Sequence, residues 1–377
     1  MATISYLTTA QFDFGAIRLV SQECVRLGIR HPLIVTDKGI RAAGLLDKLQ
    51  ETLDASLRFD VFDETPPNPT EAATLSALAR YRAVGADGVI AMGGGSSIDL
   101  GKALVLLATH PEPLVQYAAV EGGAGKITAA VAPLIAIPTT AGTGSEVGRG
   151  SVIVLNDGRK LGLLSPHLLP KVAICDPELT LGLPPFLTAA TGMDAMAHCI
   201  ETFLSPLINP PAEAIALDGL AKCALYLERA TRDGSDRDAR WNMMMAAMEG
   251  ALAFQKGLGA VHALSHPLGA LKDLKLHHGT LNAVLLPEVI RFNADHVGDK
   301  LIGMAAVMGL EPGADVAQAI ADLNQRLGLP PGLKSMGVPK EALSAIAEAA
   351  PKDHCHGTNP RKATVAEYLA ILEASWI

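Results

Sequence analysis

No CxxC pair occurs in this chain, and its five cysteines (Cys24, Cys175, Cys199, Cys223, Cys355) are odd in number and widely scattered. Their pattern excludes a zinc knuckle or a vicinal redox couple and makes a reducing cytoplasm the expected home. Nowhere does an apolar run approach the ~20 residues of a membrane-spanning helix. The first twenty residues carry no basic leader, so a soluble protein that is not exported is expected. Positive charge is not in excess either: 31 Lys and Arg against 39 Asp and Glu leave a net charge of −8. Such a balance is not drawn to polyphosphate, which excludes nucleic acid as a partner. Internal repeats and low-complexity segments are absent as well, so solenoids and linkers do not enter the reading.

What is present is length and a core. At 377 residues the chain far exceeds the ~150 of one typical domain, so two domains are expected. Hydrophobic residues at 49% and charged residues at 19% fit a packed globular protein and exclude disorder or a fibre. From Leu33 to Ile174, short β-branched runs recur (Leu33 to Thr36, Gly88 to Met92, Leu134 to Ile137, Ser151 to Leu155, Val172 to Cys175), several separated by helix-like stretches such as Pro69 to Val84. That alternation predicts an α/β domain with a largely parallel sheet. Asn156-Asp157-Gly158 adds one antiparallel hairpin. After Pro184-Pro185 the strands stop and helical periodicity takes over, as in Pro211 to Arg229, Asp236 to Phe254 and Ala314 to Leu327. The expected organisation is therefore an α/β domain over 1–180 and an all-helical domain over 181–377.

Val89-Ile90-Ala91-Met92 runs into Gly93-Gly94-Gly95-Ser96-Ser97, and a helix follows. Strand, glycine loop and helix together form an arrangement in which backbone N–H groups face a phosphate; the alternative is a tight turn in which Ser96 or Ser97 only caps the helix. Asp37 ends the strand Leu33 to Thr36, where an acid can bind a ribose diol or simply cap a turn. Because the acid precedes the glycine loop, the standard dinucleotide fingerprint is missing. A second cluster, Pro138-Thr139-Thr140-Ala141-Gly142-Thr143-Gly144-Ser145-Glu146, follows the strand Leu134 to Ile137. Two such loops after two strands point to a nucleotide crevice.

Asp194 and His198 are i, i+4 in a predicted helix, and His262 and His266 repeat the spacing, with His277-His278-Gly279 shortly after. Side chains four apart project from one helix face. A lone buried histidine is usually a hydrogen-bonded core residue, but two such pairs and a further imidazole predict a divalent metal site. One carboxylate with three imidazoles suits Fe(II), Zn(II), Mn(II) or Co(II).

The motifs GGGSSIDLGK (93–102), PTTAGTGSEV (138–147), GMDAMAHCIE (192–201), GLGAVHALSHPLGA (257–270), HHG (277–279) and NPR (359–361) together resemble the iron-containing, or group III, alcohol dehydrogenase family. The resemblance spans nearly the whole chain. It implies an N-terminal dinucleotide-binding α/β domain, a C-terminal helical domain and an active site in the cleft between them. It implies metal ligands at Asp194, His198, His262 and the histidine before the glycine of HHG, for which His278 is preferred over His277 because it directly precedes Gly279. NAD contacts are implied at Asp37, Gly94, Gly95, Ser96, Asp99, Thr139, Thr140, Thr143 and Lys160. Phe254 would lie near nicotinamide and substrate, and His266 would help relay the proton. The implied partners are a small alcohol or aldehyde and further copies of the chain, as a homodimer or larger assembly.

The implied reaction is metal-dependent hydride transfer between NAD(H) and a small primary alcohol or aldehyde, with Fe2+ first and Zn2+ second as the metal. Arg149, between Gly148 and Gly150, suggests an alternative substrate, a short ω-hydroxy acid such as 4-hydroxybutyrate, held by its carboxylate. Two other classes are a lyase like dehydroquinate synthase and a catalytically inactive NAD- or metal-binding protein. Asp353-His354-Cys355-His356 lacks helical spacing and is read as a polar loop in preference to a second metal site. Met243-Met244-Met245 and Met248 are read as core packing.

Overall fold

A computed structural model describes residues 8–271 and 274–377, and these fall into two compact units. The first holds the described residues up to Thr140 together with Gly144–Gly182; the second holds Ala141–Thr143 and Leu183–Ile377.

In the first unit, eight strands form: β1 (Thr9–Phe12), β2 (Pro32–Val35), β3 (Asp60–Phe62), β4 (Gly88–Gly93), β5 (Leu134–Pro138), β6 (Gly150–Val154), β7 (Lys160–Leu164) and β8 (Val172–Cys175). Its α-helices are α1 (Val20–Leu27), α2 (Lys38–Ala42), α3 (Leu45–Thr52), α4 (Glu71–Val84) and α5 (Gly95–Leu107). Six strands make one sheet in the order β1-β8-β5-β4-β2-β3, and every pairing in it is parallel. Successive side chains of a strand point to opposite faces. Leu33, Val35, Val89, Ala91, Leu134 and Ala136 therefore enter one buried layer. Ile34, Ile90, Met92, Ile135, Ile137 and Ile174 enter the other. A sheet apolar on both faces has helices on both, and for that reason its strands read as unbroken apolar runs.

Strands β1 and β3 are additions to the sequence reading. Both are edge strands of four and three residues, too short and too polar to show a periodicity. β6 and β7 pair antiparallel around Asn156-Asp157-Gly158, as expected of that turn, with Gly158 at φ 88.

Chain order decides where a ligand can enter. From β2 the chain crosses to β3 on one side and then to β4 on the other, so the winding reverses between β2 and β4. Open α/β sheets bind ligands outside the carboxyl ends of the strands at such a switch point. Asp37, the glycine loop and Thr139-Thr140 follow the carboxyl ends of three adjacent strands, β2, β4 and β5.

The second unit has no strand among its described residues. It contains α6 (Pro185–Leu204), α7 (Pro210–Arg232), α8 (Arg237–Leu252), α9 (Ala260–Gly269), α10 (His278–Asn293), α11 (Lys300–Val307), α12 (Val316–Arg326), α13 (Leu343–Ala349) and α14 (Val365–Ala374). Met243, Met244 and Met248 are buried, while Met245 is half-buried. α6 is buried over nearly its whole length and packs against α7, α8 and α10, which places any polar side chain on it out of water. Among the described residues, no helix is long and apolar enough to cross a membrane.

Candidate active site

Three helices of the second unit deliver the polar cluster. α6 carries Asp194, His198 and Glu201, α9 carries His262 and His266, and α10 carries His278 and Asn282. α10 can come this close only because Gly279 has no side chain: a Cβ there would lie 2.1 Å from the Ala190 carbonyl oxygen on α6. The Asn359 Oδ1 accepts from the Ala260 N–H at the start of α9 (3.0 Å) and from Asn293 Nδ2 on α10 (3.1 Å), so the asparagine of NPR ties those helices together.

His198, His262 and His278 present their Nε2 atoms 3.5, 3.9 and 3.6 Å from Asp194 Oδ1. The two nitrogens of His198 and His262 face each other at 3.1 Å. His262 Nδ1 donates to Glu201 Oε2 at 2.5 Å, which fixes the tautomer and leaves its Nε2 as a lone pair. Asn282 Nδ2 lies 2.7 Å from Asp194 Oδ1 and 3.2 Å from both His262 Nε2 and His278 Nε2. An amide nitrogen carries two hydrogens, so it cannot serve all three acceptors. Convergent acceptors with too few donors, almost wholly out of water, suit a cation. Burial pushes His198 down to about 4 despite Asp194, which keeps its lone pair available. Burial also opposes protonation of His262, but the Glu201 charge and hydrogen bond outweigh it and raise the group. His277 stands at the N-cap of α10, with Nδ1 3.5 Å from Thr280 Oγ1; the structure brings His278, and not His277, into the group with Asp194 and His262. Phe254 meets the His198 ring edge-on, with centroids 4.8 Å apart. His266 stacks on His278 with centroids 5.6 Å apart, and its Nδ1 donates to Asp353 Oδ2 at 2.9 Å.

The switch point of the first unit has different chemistry. No side chain caps the thirteen-residue helix α5: Ser96 Oγ donates to the Pro67 carbonyl and Ser97 Oγ to Asp37 Oδ2 (3.4 Å). The reading of these serines as caps therefore fails; the Ser97 N–H turns back to the Gly94 carbonyl at 3.2 Å, which leaves the Gly95 and Ser96 N–H groups at the start of α5 for an anion. Gly93 sits at φ 149, where an added Cβ would lie 2.6 Å from Ser97 Oγ. Thr139 Oγ1 is buried with no hydrogen-bond partner among the described residues, and Thr140 lies against Gly94. A phosphate or ribose supplies what this cradle lacks, so the residues present fit a nucleotide. Asp37 Oδ1 accepts the Ile40 N–H at 3.0 Å and caps α2, so it serves the fold whatever else it binds.

Other predicted contacts are engaged within the protein. Asp99 accepts from Ser145 Oγ (2.6 Å) and the Val152 N–H (2.9 Å). Lys102 beside it donates to Ser145 Oγ, the Gly148 carbonyl and the Gly150 carbonyl at 2.6–2.9 Å, and burial brings its amine down to about 8. Together they pin the loop that enters the β6–β7 hairpin. Lys160 Nζ donates to Asn68 Oδ1 at 3.0 Å. Thr143 belongs to the second unit. Arg149 is exposed. Sequence reasoning missed Glu201 and Asn282, although each had a spacing signal: Glu201 is i+3 from His198, and Asn282 is i+4 from His278.

Comparison with known proteins places this geometry. The family described as "Iron-containing alcohol dehydrogenase" matches residues 8–177, and "Fe-containing alcohol dehydrogenase family, C-terminal" matches 188–376. The chain is 58% identical to a 4-hydroxybutyrate dehydrogenase of Cupriavidus necator, with 100% of each chain covered. A crystal structure of 1,3-propanediol oxidoreductase superposes with a TM-score of 0.93 at 36% identity, covering 99% of this chain and 100% of that one. Sulfoacetaldehyde reductase from Bifidobacterium kashiwanohense, in complex with NAD+, gives a TM-score of 0.90 at 28% identity over 100% and 99% of the two chains.

Proposed function

The chain belongs to the iron-containing alcohol dehydrogenase family, and we propose that within it this enzyme interconverts a short ω-hydroxy acid, 4-hydroxybutyrate, and its semialdehyde with NAD(H). Metal-dependent oxidoreduction of an alcohol and an aldehyde is the family's activity. The substrate choice is carried by the 58% identity, end to end, with a 4-hydroxybutyrate dehydrogenase.

A divalent ion, iron first and zinc second, would be held by Asp194, His198, His262 and His278, where it would acidify an alcohol hydroxyl or polarise a carbonyl, while NAD(H) would exchange the hydride. This chain's own residues prepare that step. Glu201 holds His262 with its lone pair inward. Asn282 orients the Asp194 carboxylate. Phe254 walls the site beside His198 and keeps water from that face. His266, oriented by Asp353 through Nδ1, has Nε2 for passing on the hydroxyl proton. In the first unit, the open N-terminus of α5 and Thr139 receive the cofactor phosphates, and Asp37 accepts from the adenosine ribose. Arg149, exposed between two glycines, is assigned the substrate carboxylate. The five cysteines are free thiols, in keeping with a reducing cytoplasm, and a homodimer or larger assembly completes the reading.

Steady-state kinetics of Arg149→Ala test the substrate assignment. KM for 4-hydroxybutyrate should rise tenfold or more, about 1.4 kcal/mol, while KM for 1-butanol barely changes. Equal losses on both substrates would reject carboxylate recognition and leave a plain primary-alcohol dehydrogenase.

A further inference from the structure

Asp353, His354 and Cys355 are consecutive residues in the turn between two short 3-10 segments, Ala350–Lys352 and His356–Thr358. With His266 of α9 they bring one carboxylate, one thiol and two imidazoles together, and one donor atom from each lies within 4.8 Å of all the others. We infer that these four side chains form a second divalent-cation site, with a donor set distinct from the Asp194 set and selective for zinc-like ions; an ion there replaces the His266–Asp353 hydrogen bond, so its occupation competes with the proton relay assigned to His266.

The spacings carry this assignment. A tetrahedral ion with bonds of ~2.0–2.1 Å to nitrogen or oxygen and ~2.3 Å to sulfur holds its donors roughly 3.3–3.8 Å apart. Here His354 Nε2 is 3.4 Å from Cys355 Sγ, and one donor atom from each of the four side chains lies within 4.8 Å of the other three, close enough for a small movement of the turn to bring them onto one ion. His266 Nδ1 and Asp353 Oδ2, hydrogen-bonded at 2.9 Å, need only separate slightly to admit an ion. The turn is already held: Asp353 Oδ1 accepts the Cys355 N–H at 2.8 Å, and the Thr358 N–H reaches the Cys355 carbonyl at 3.2 Å. Its ring stacked on His266 at a centroid distance of 5.6 Å, His354 keeps about a third of its side chain exposed (32%), which leaves the ion a route from solvent. Cys355 and His266 are buried, so the site is not a chance surface cluster.

Helical spacing is absent because three of the donors come from one tight turn, which is why sequence alone favoured a polar loop. A donor set with sulfur selects Zn(II) or Co(II) over Mg(II) or Ca(II). On binding, the Cys355 thiol loses its proton to solvent and the sulfur donates an electron pair to the ion, with no change of oxidation state.

Cobalt distinguishes the two sites, since the Asp194 set has no sulfur. The purified enzyme, its first site filled with Co(II), is titrated anaerobically with further Co(II) and followed in the near ultraviolet for sulfur-to-cobalt charge transfer. A second equivalent per chain should bind with that absorption. Cys355→Ser should abolish the absorption, and His354→Ala, at a partly exposed position, should weaken the second equivalent tenfold or more. Asp194→Ala should lose the first equivalent and keep the absorption, so failure of the first site is distinguishable from failure of the second. A single equivalent, no charge-transfer absorption, or an absorption unchanged in Cys355→Ser would overturn the assignment.

Discussion

Glu201 is buried, and both of its oxygens are engaged, one with the Val261 N–H at 2.7 Å and one with His262 Nδ1. A carboxylate so placed orients the imidazole and raises its basicity, and removal of such partners typically costs 10–100-fold in metal affinity. Glu201→Gln is therefore expected to weaken metal binding within that range while all four ligands remain, as measured by competition with a chelator of known affinity. Wild-type affinity in the variant would remove Glu201 from the account. At the other unit, Asp37 has two functions that can be separated. Its Oδ1 caps α2, and in the proposed cofactor site its charge would disfavour a 2′-phosphate. Asp37→Asn keeps the cap, so the preference for NAD over NADP should narrow with little change in Tm. Equal use of NAD and NADP by the wild-type enzyme would show that the charge does not select the cofactor.

Glycines decide how the elements meet. Gly279 opens α10 with the Ala190 carbonyl of α6 directly beneath it, and backbone on a buried helix cannot swing aside as a flexible side chain would. Gly279→Ala should therefore cost about 1–3 kcal/mol or more through overpacking. It should also lower metal content, because α10 carries His278 away from Asp194. Thermal unfolding and elemental analysis of the same preparation check both; a variant of native Tm with full metal would contradict the tight α6–α10 approach. Element by element, the chain was legible where periodicity was long or a turn was unambiguous. The strands β2, β4, β5 and β8 came from their apolar runs, the β6–β7 hairpin from Asn156-Asp157-Gly158, and α7 and α12 from their helical pattern. The helix expected over Asp236 to Phe254 ends instead at Leu252, where a 3-10 segment (Ala253–Lys256) takes over and sets Phe254 against His198. Helix ends depend on such tertiary contacts, which sequence pattern does not record.

Across the whole chain, what sequence could not reveal was partnership at long range. β1 pairs with β8 in the register Thr9↔Val172, so a four-residue edge strand acquires its identity from residues far along the chain. The carboxylate Glu201 stood in plain view within GMDAMAHCIE, yet its task depends on His262 sixty-one positions later. The candidate ligands were visible because i, i+4 spacing fixes a common helix face before any tertiary contact exists, and the structure brings Asp194, His262 and His278 together. The candidate nucleotide loops were visible for a similar reason, as glycines and hydroxyls directly follow strand ends. The central claim joins these two chemistries: the enzyme moves hydride between NAD(H) and an alcohol only with a divalent ion on Asp194, His198, His262 and His278. The direct measurement is NADH formation from 4-hydroxybutyrate by enzyme stripped of metal with a chelator and then reloaded with Fe(II) under anaerobic conditions. The account predicts that turnover disappears on stripping, returns on reloading, and does not return in Asp194→Ala; undiminished turnover by verified metal-free enzyme would contradict it.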